Sequence, residues 1–93
     1  MNRVDWSRTA RNDLIAIGER YEAIDPDLAD AMLNLVMAAV QPLVAHPHLG
    51  PVVDSLGGRK WLVRGTPFAL FYDIRGADIE IIRVRHLREN WRD

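Results

Sequence analysis

From Arg59 onward the chain alternates apolar and polar residues with a period of two, and short turn segments break the alternation twice. The three runs are Lys60-Trp61-Leu62-Val63-Arg64, Phe68-Ala69-Leu70-Phe71-Tyr72-Asp73-Ile74 and Ile79-Glu80-Ile81-Ile82-Arg83-Val84-Arg85. β-branched and aromatic residues dominate them, as suits a pleated, half-buried surface. Arg64-Gly65-Thr66-Pro67 and Arg75-Gly76-Ala77-Asp78 between them are of hairpin length, so the three strands are expected to follow one another as an antiparallel meander. In the last strand the alternation puts Ile79, Ile81 and Arg83 on one face and Glu80, Ile82 and Val84 on the other.

The first half of the chain has a different period. Arg3-Val4-Asp5-Trp6 reads as a short strand with Val4 and Trp6 buried, stopped by Ser7, a good helix N-cap. Behind it Ala10, Leu14, Ile17, Tyr21 and Ile24 recur at spacings of three and four, one stripe of an amphipathic helix. Gly18 inside that helix costs about 1 kcal/mol relative to alanine, which marks a close approach. Asp25-Pro26 is a cap followed by proline at the first helical position. A second helix follows with the stripe Leu28, Met32, Leu35, Ala39 and Leu43, widened by Ala31, Val36 and Val40. Pro42 removes a backbone hydrogen bond, so the regular helix should finish by about Ala45. His46-Pro47-His48-Leu49-Gly50-Pro51 and Gly57-Gly58 read as loops with an irregular stretch between them.

One strand, an antiparallel α-hairpin and a three-stranded antiparallel meander make an α+β domain with the helices on one sheet face. At 93 residues the whole chain, 1–93, is one domain. The absence of cysteine excludes disulfides, thiol nucleophiles and Cys-based zinc sites. The opening residues carry no apolar stretch behind a basic flank, and no uninterrupted run of 18 apolar residues occurs, so a cytoplasmic protein without a membrane partner is expected. A net charge of −1 lacks the positive field of a general nucleic-acid binder. The distribution is more telling: eleven of the twelve cations are arginine, and Arg64, Arg75, Arg83, Arg85, Arg88 and Arg92 all lie in the C-terminal third. Arginine suits bidentate contact with carboxylate or phosphate, although a solvated arginine-rich sheet edge has the same composition.

Several chemistries find little support. His46 and His48 flank Pro47 without a carboxylate cluster, so no metal and no cofactor are expected. Gly57-Gly58 lacks the strand–loop–helix setting of a phosphate loop, and Ser7 has a cap to make. Trp61, Phe68, Phe71, Tyr72 and the wide second-helix stripe offer more apolar surface than so small a domain easily encloses, which favours a protein partner.

In order and spacing these segments resemble the toxins of the RelE/ParE superfamily over nearly the whole chain. Leu43-Val44-Ala45-His46-Pro47-His48-Leu49-Gly50 is similar to that family's link after the second helix. Val63-Arg64-Gly65-Thr66-Pro67-Phe68-Ala69-Leu70-Phe71-Tyr72 resembles its central hairpin, and Ile81-Ile82-Arg83-Val84-Arg85-His86 with Trp91 resembles its ending. The resemblance implies the toxin half of a type II toxin–antitoxin pair, of the kind associated with plasmid stabilisation. Its partner would be a cognate antitoxin, ParD-like or RelB-like, bound in a hetero-oligomer.

That superfamily has two branches, and both remain open on sequence. ParE-like members inhibit DNA gyrase without a catalytic centre, whereas RelE-like members cut messenger RNA on the ribosome. The Gly-Thr-Pro hairpin and the His86…Trp91 ending look more like ParE, and Ala69 stands where RelE-like nucleases carry a central arginine. The ParE-like branch implies growth arrest through gyrase, with target contact by Arg83, Arg85, His86, Arg88 and Trp91. Antitoxin contact is expected at Trp61, Val63, Phe68, Leu70 and Tyr72. The alternative is an endoribonuclease in which Lys60, Arg64, Arg83 and His86 supply base, acid and phosphate-binding charge at the ribosome and its messenger.

Overall fold

The computed structural model describes residues 3–53 and 58–88. In chain order the elements are β1 (Val4–Trp6), α1 (Arg8–Glu22), α2 (Pro26–Ala45), a single 3-10 turn (Pro47–Leu49), β2 (Val52–Val53), β3 (Gly58–Leu62), β4 (Phe68–Arg75) and β5 (Asp78–His86). They form one five-stranded sheet in the order β1-β5-β4-β3-β2. β1 runs parallel to β5 through Val4↔Ile79 and Trp6↔Ile81, and every other pairing is antiparallel. The α+β architecture with its α-hairpin and meander is therefore the one expected. The stretch expected to be irregular adds β2, whose two residues are too few to show a period. β3 begins and ends earlier than the alternation suggests, because Val63 already belongs to the hairpin: its N–H donates to Phe68 O at 3.0 Å. Gly65 in that turn has φ +83°, where a side chain would be strained.

Both helices start as their caps dictate. Ser7 Oγ accepts the Ala10 N–H at 3.0 Å, and Asp25 Oδ1 accepts the Asp27 N–H at 2.9 Å with Pro26 next to the cap. At Gly18 a Cβ would sit 3.5 Å from Leu33 Cδ1, an ordinary van der Waals contact, so the crossing of α1 over α2 does not require the close approach expected there. Two further expectations need correction. Ile24 falls in the turn beyond α1 and is exposed. In α2 the fully buried stripe is Ala29, Val36, Val40 and Leu43, while Ala31 is exposed and Leu35 is 39% exposed. α2 is apolar around much of its circumference, so its sequence offers more than one stripe, and the sheet selects one of them. By length and composition α2 also passes the test for a bilayer-crossing helix, with a mean hydropathy of 1.6. Here part of that apolar surplus packs under the sheet and part lines an open groove. Pro42 is absorbed without ending the helix, at a position where both it and Ala38 are exposed.

The core sits between the helices and one sheet face. Ala10, Ile17, Val36, Val40 and Leu43 meet Val63, Phe68, Leu70, Tyr72, Ile79, Ile81 and Val84 there. The last strand does not keep a simple alternation. Phe71 pairs with Arg83 but Tyr72 pairs with Ile81, so β5 carries one extra residue at a bulge. Beyond the bulge the faces exchange: Val84, opposite Leu70, joins Ile79 and Ile81 in the core, and Arg83 leaves the face expected for it. Tyr72 closes the far side of the core. Its O–H donates to Pro47 O at 2.6 Å and accepts the Gly50 N–H at 2.9 Å. A Cβ on Gly50 would lie 2.6 Å from Lys60 O, so only glycine fits. Burial pushes the Tyr72 phenol up from its ordinary value, against the lowering effects of the Gly50 hydrogen bond and the Arg59 charge.

These placements predict two stability measurements. Leu43→Ala should cost about 2–5 kcal/mol as a core truncation, and Leu35→Ala less than about 1 kcal/mol, read from urea unfolding. Because the Tyr72 pKa is raised on folding, its contribution is intact below the unfolded value near 10.0 and is lost as pH rises through the folded one. Unfolding midpoints should therefore fall as pH is raised above about 10, and fall less in Tyr72→Phe.

Candidate partner-binding site

A groove of about 810 Å³ runs between α2 and β3. Leu35, Ala38, Ala39 and Pro42 form its helical wall, Pro51, Trp61 and Leu62 face them, and Lys60 and Arg64 are its cations. The groove exists because β2 is so short. β2 pairs only with Gly58 and Arg59, and the last bond on that side is Lys60 N–H to Pro51 O at 3.0 Å. Past it, antiparallel alternation turns the Leu62 N–H and C=O toward the open edge, since its neighbours Trp61 and Val63 are the residues bonded to β4. The Trp61 indole is held as a wall by its N–H, which donates to Ala39 O at 2.9 Å. Leu62 is 57% exposed. The site thus combines an apolar trough, an unpaired strand edge and positive charge, which suits an amphipathic segment bearing acids.

The opposite edge is closed from within. β1 ends at Trp6, and Ser7 N–H donates to Ile81 O at 3.0 Å while Ser7 Oγ donates to Ile82 O at 2.8 Å. Asp13 of α1 continues the closure. Its Oδ2 accepts the Val84 N–H and Arg83 Nε–H, both at 2.9 Å, and its Oδ1 accepts from Arg83 Nη2 at 3.2 Å. Beside this clamp lies a small pocket of about 120 Å³ lined by Asp13, Arg20, Phe68, Val84 and His86 among others. His86 stands edge-on to Phe68 at 5.6 Å between ring centroids, and its Nδ1 accepts the Arg88 N–H at 3.0 Å. Leu87 N–H donates to Pro67 O at 2.8 Å, which ties the end of β5 to the β3–β4 turn carrying Arg64.

The structure sorts the candidate residues accordingly. Of the residues expected to touch an antitoxin, Trp61 lines the groove. Val63, Phe68, Leu70 and Tyr72 do not: they are at most 2% exposed and form the helix-facing rows of the sheet, so a partner cannot reach them. Of the nuclease set, Lys60 and Arg64 border the groove, whereas His86 borders the pocket beside α1 and Arg83 is bound to Asp13. The four do not line one cavity. Arg85, His86 and Arg88 share the C-terminal end of β5 and the turn after it. Arg83 also takes part in the clamp, so replacing it disturbs the fold as well as any contact. Trp91 lies outside the described residues. Among the described residues no group of three or more His, Asp or Glu is placed to hold a metal ion. Sequence reasoning missed Asp13, whose partners are 70 and 71 positions away, and the groove residues Leu35, Ala38, Pro42 and Leu62. The breadth of the α2 apolar face was the signal for the groove, and Asp13 had none.

Residues 4–91 match the family described as ParE toxin of type II toxin-antitoxin system, parDE. The chain is 29% identical over 89 residues to Y4kP of Sinorhizobium fredii (strain NBRC 101917 / NGR234), a protein named as a toxin, with 96% of this chain and 92% of the relative covered. Among solved structures it is similar to a chain of the chromosomal ParDE TA system from P. aeruginosa, with a TM-score of 0.81 and 27% identity over 92% of this chain and 96% of that one.

The clamp makes its own prediction. Asp13→Ala leaves the Val84 N–H and the Arg83 guanidinium without their acceptor and should lower stability by about 1–3 kcal/mol in urea unfolding. An unchanged midpoint would show that the β5 edge does not depend on it.

Proposed function

The chain belongs to the ParE toxin family of type II toxin–antitoxin systems, and on that premise we propose that it arrests growth by inhibiting DNA gyrase. A cognate ParD-like antitoxin neutralises it by laying an acidic amphipathic segment in the groove between α2 and β3. A cytoplasmic location is part of the same proposal. The observation that carries the proposal is the groove itself: an apolar trough with two cations and an open strand edge is a receptor for chain.

Gyrase is favoured over messenger RNA by what the cations do. Cutting RNA needs a base, an acid and charge on the same phosphate. Lys60 and Arg64 lie by the groove, His86 borders a different pocket, and Arg83 already neutralises Asp13. Ala69, at the matching place in the central strand, carries no charge to clamp a phosphate. The target contact is then assigned to the end of β5, with Arg85, His86 and Arg88.

Purified toxin should block supercoiling by gyrase in vitro and leave messenger intact in toeprinting on translating ribosomes. Ribosome-dependent cleavage with normal supercoiling would replace gyrase by the RelE-like alternative. Arg88→Ala should weaken gyrase inhibition without moving the urea midpoint, because the Arg88 side chain is exposed and makes no ion pair among the described residues.

A further inference from the structure

The sheet face turned away from the helices holds a polar group that the fold leaves unsatisfied. Arg85 pairs across the ladder with Ala69, and Ala69 pairs with Leu62, so the three make one row from β5 to β3. Ala69 is 1% exposed, and the side of the row at β3 is the exposed Leu62. Arg85 Nε is buried and has no hydrogen-bond partner. The contrast with its neighbours is informative. Arg75 reaches Glu80 at 2.9 Å and Asp73 at 3.5 Å, and Arg83 reaches Asp13 at 2.9 Å. Arg85 is the arginine of these two strands to which no acid is supplied among the described residues. A desolvated donor on a charged group is costly to leave unmatched, and the planar fork of Nε and Nη fits a carboxylate in two parallel bonds.

We propose that Arg85 is the receptor for a carboxylate of the antitoxin, delivered by the part of its chain that leaves the α2–β3 groove across Leu62. The proposal rests on the groove being the antitoxin site. Leu62 belongs to both places: it lines the groove and opens the row. From β3 to β5 is two strand spacings, about 10 Å, which an extended chain covers in about three residues. An exposed leucine at one end of the row and a cation at the other select an apolar residue followed by an acid, while Ala69 between them is buried. A peptide suits this row better than a nucleic-acid backbone, because Leu62 and Leu87 are exposed at the same end and the net charge of the chain is −1. Occupying Arg85 also covers the end of β5 assigned to the target, so one contact both adds affinity and blocks the toxic surface.

The test uses the toxin with the antitoxin encoded beside it, comparing dissociation constants by calorimetry. Arg85→Gln should loosen the complex by about tenfold or more, and Arg85→Lys should recover only part of the loss because it lacks the fork. Arg85→Glu should be rescued by exchanging one antitoxin Asp or Glu for Lys. Wild-type affinity in Arg85→Gln overturns the proposal. If Leu35→Glu weakens the complex and Arg85→Gln does not, the groove stands and the carboxylate site falls; if neither does, both fall. If Arg85→Gln spares the antitoxin and instead abolishes binding to a short DNA duplex, phosphate is the ligand and the proposal is likewise overturned.

Discussion

The carboxylate of Asp13 decides which way the end of β5 faces. A strand of nine residues has a parallel neighbour of only three, so its ladder is unsupported beyond Ile81. Ser7 takes the next acceptors and Asp13 takes the Val84 N–H, so α1 supplies by side chain what a longer β1 would supply by backbone. Binding at that point coincides with the bulge, and the Arg83 guanidinium balances the charge of the acid that enters. The value of such a pair is less its net energy than the arrangement it fixes. With the extra residue in place Val84 completes the core and Arg85 goes to the open face. With a regular ladder the two would be exchanged, and an arginine would be forced against Leu70's side of the sheet.

Much of this fold was legible because its signals are local. Ser7 and Asp25-Pro26 announce helix starts through bonds to residues two or three positions away, and Gly65 and Gly76 sit in turns at positive φ. The strands show themselves by alternation. What was not legible depends on partners distant in sequence. The bulge cannot be seen in β5 alone, since Ile82 and Arg83 look like ordinary steps of a period-two pattern. The true α2 stripe is rotated from the one first drawn, because Leu35 and Val36 are equally apolar and only the sheet distinguishes them. The same limit explains the sites. Phe68, Leu70 and Tyr72 look like surplus apolar surface until the helices are placed over them, and Leu35 and Ala38 look like core until they are not.

Membership of the toxin family and the groove bear on each other through α2. A helix with one buried stripe serves a single core; this one presents further apolar residues, Leu35, Ala38 and Pro42, to an open trough. Exposed apolar surface of this kind is kept at a cost in solubility, and it is retained where a partner covers it. On the proposed function, the uncovered trough belongs to the active form and the covered one to the silent form. The nuclease candidates are divided among the groove, the pocket beside α1 and the Asp13 clamp, so the cations are spread over surfaces.

The two edges of the sheet meet the same problem with opposite solutions. Both edge strands are short, and a short edge strand leaves backbone donors and acceptors of its neighbour exposed. On the β5 side the gap is filled by the molecule's own Ser7 and Asp13, which take Ile81 O, Ile82 O and the Val84 N–H. On the β3 side the bonds stop at Lys60, and Leu62 is left open beside an apolar wall and two cations. In the antiparallel pairing only residues before Val52 could carry β2 on over Leu62, and there the chain turns instead through Pro47–Leu49. On the proposed function the short β3 edge keeps a place for another chain, while the carboxylate that closes the other edge fixes Arg83 and, through the bulge beside it, the side of the sheet on which Arg85 stands.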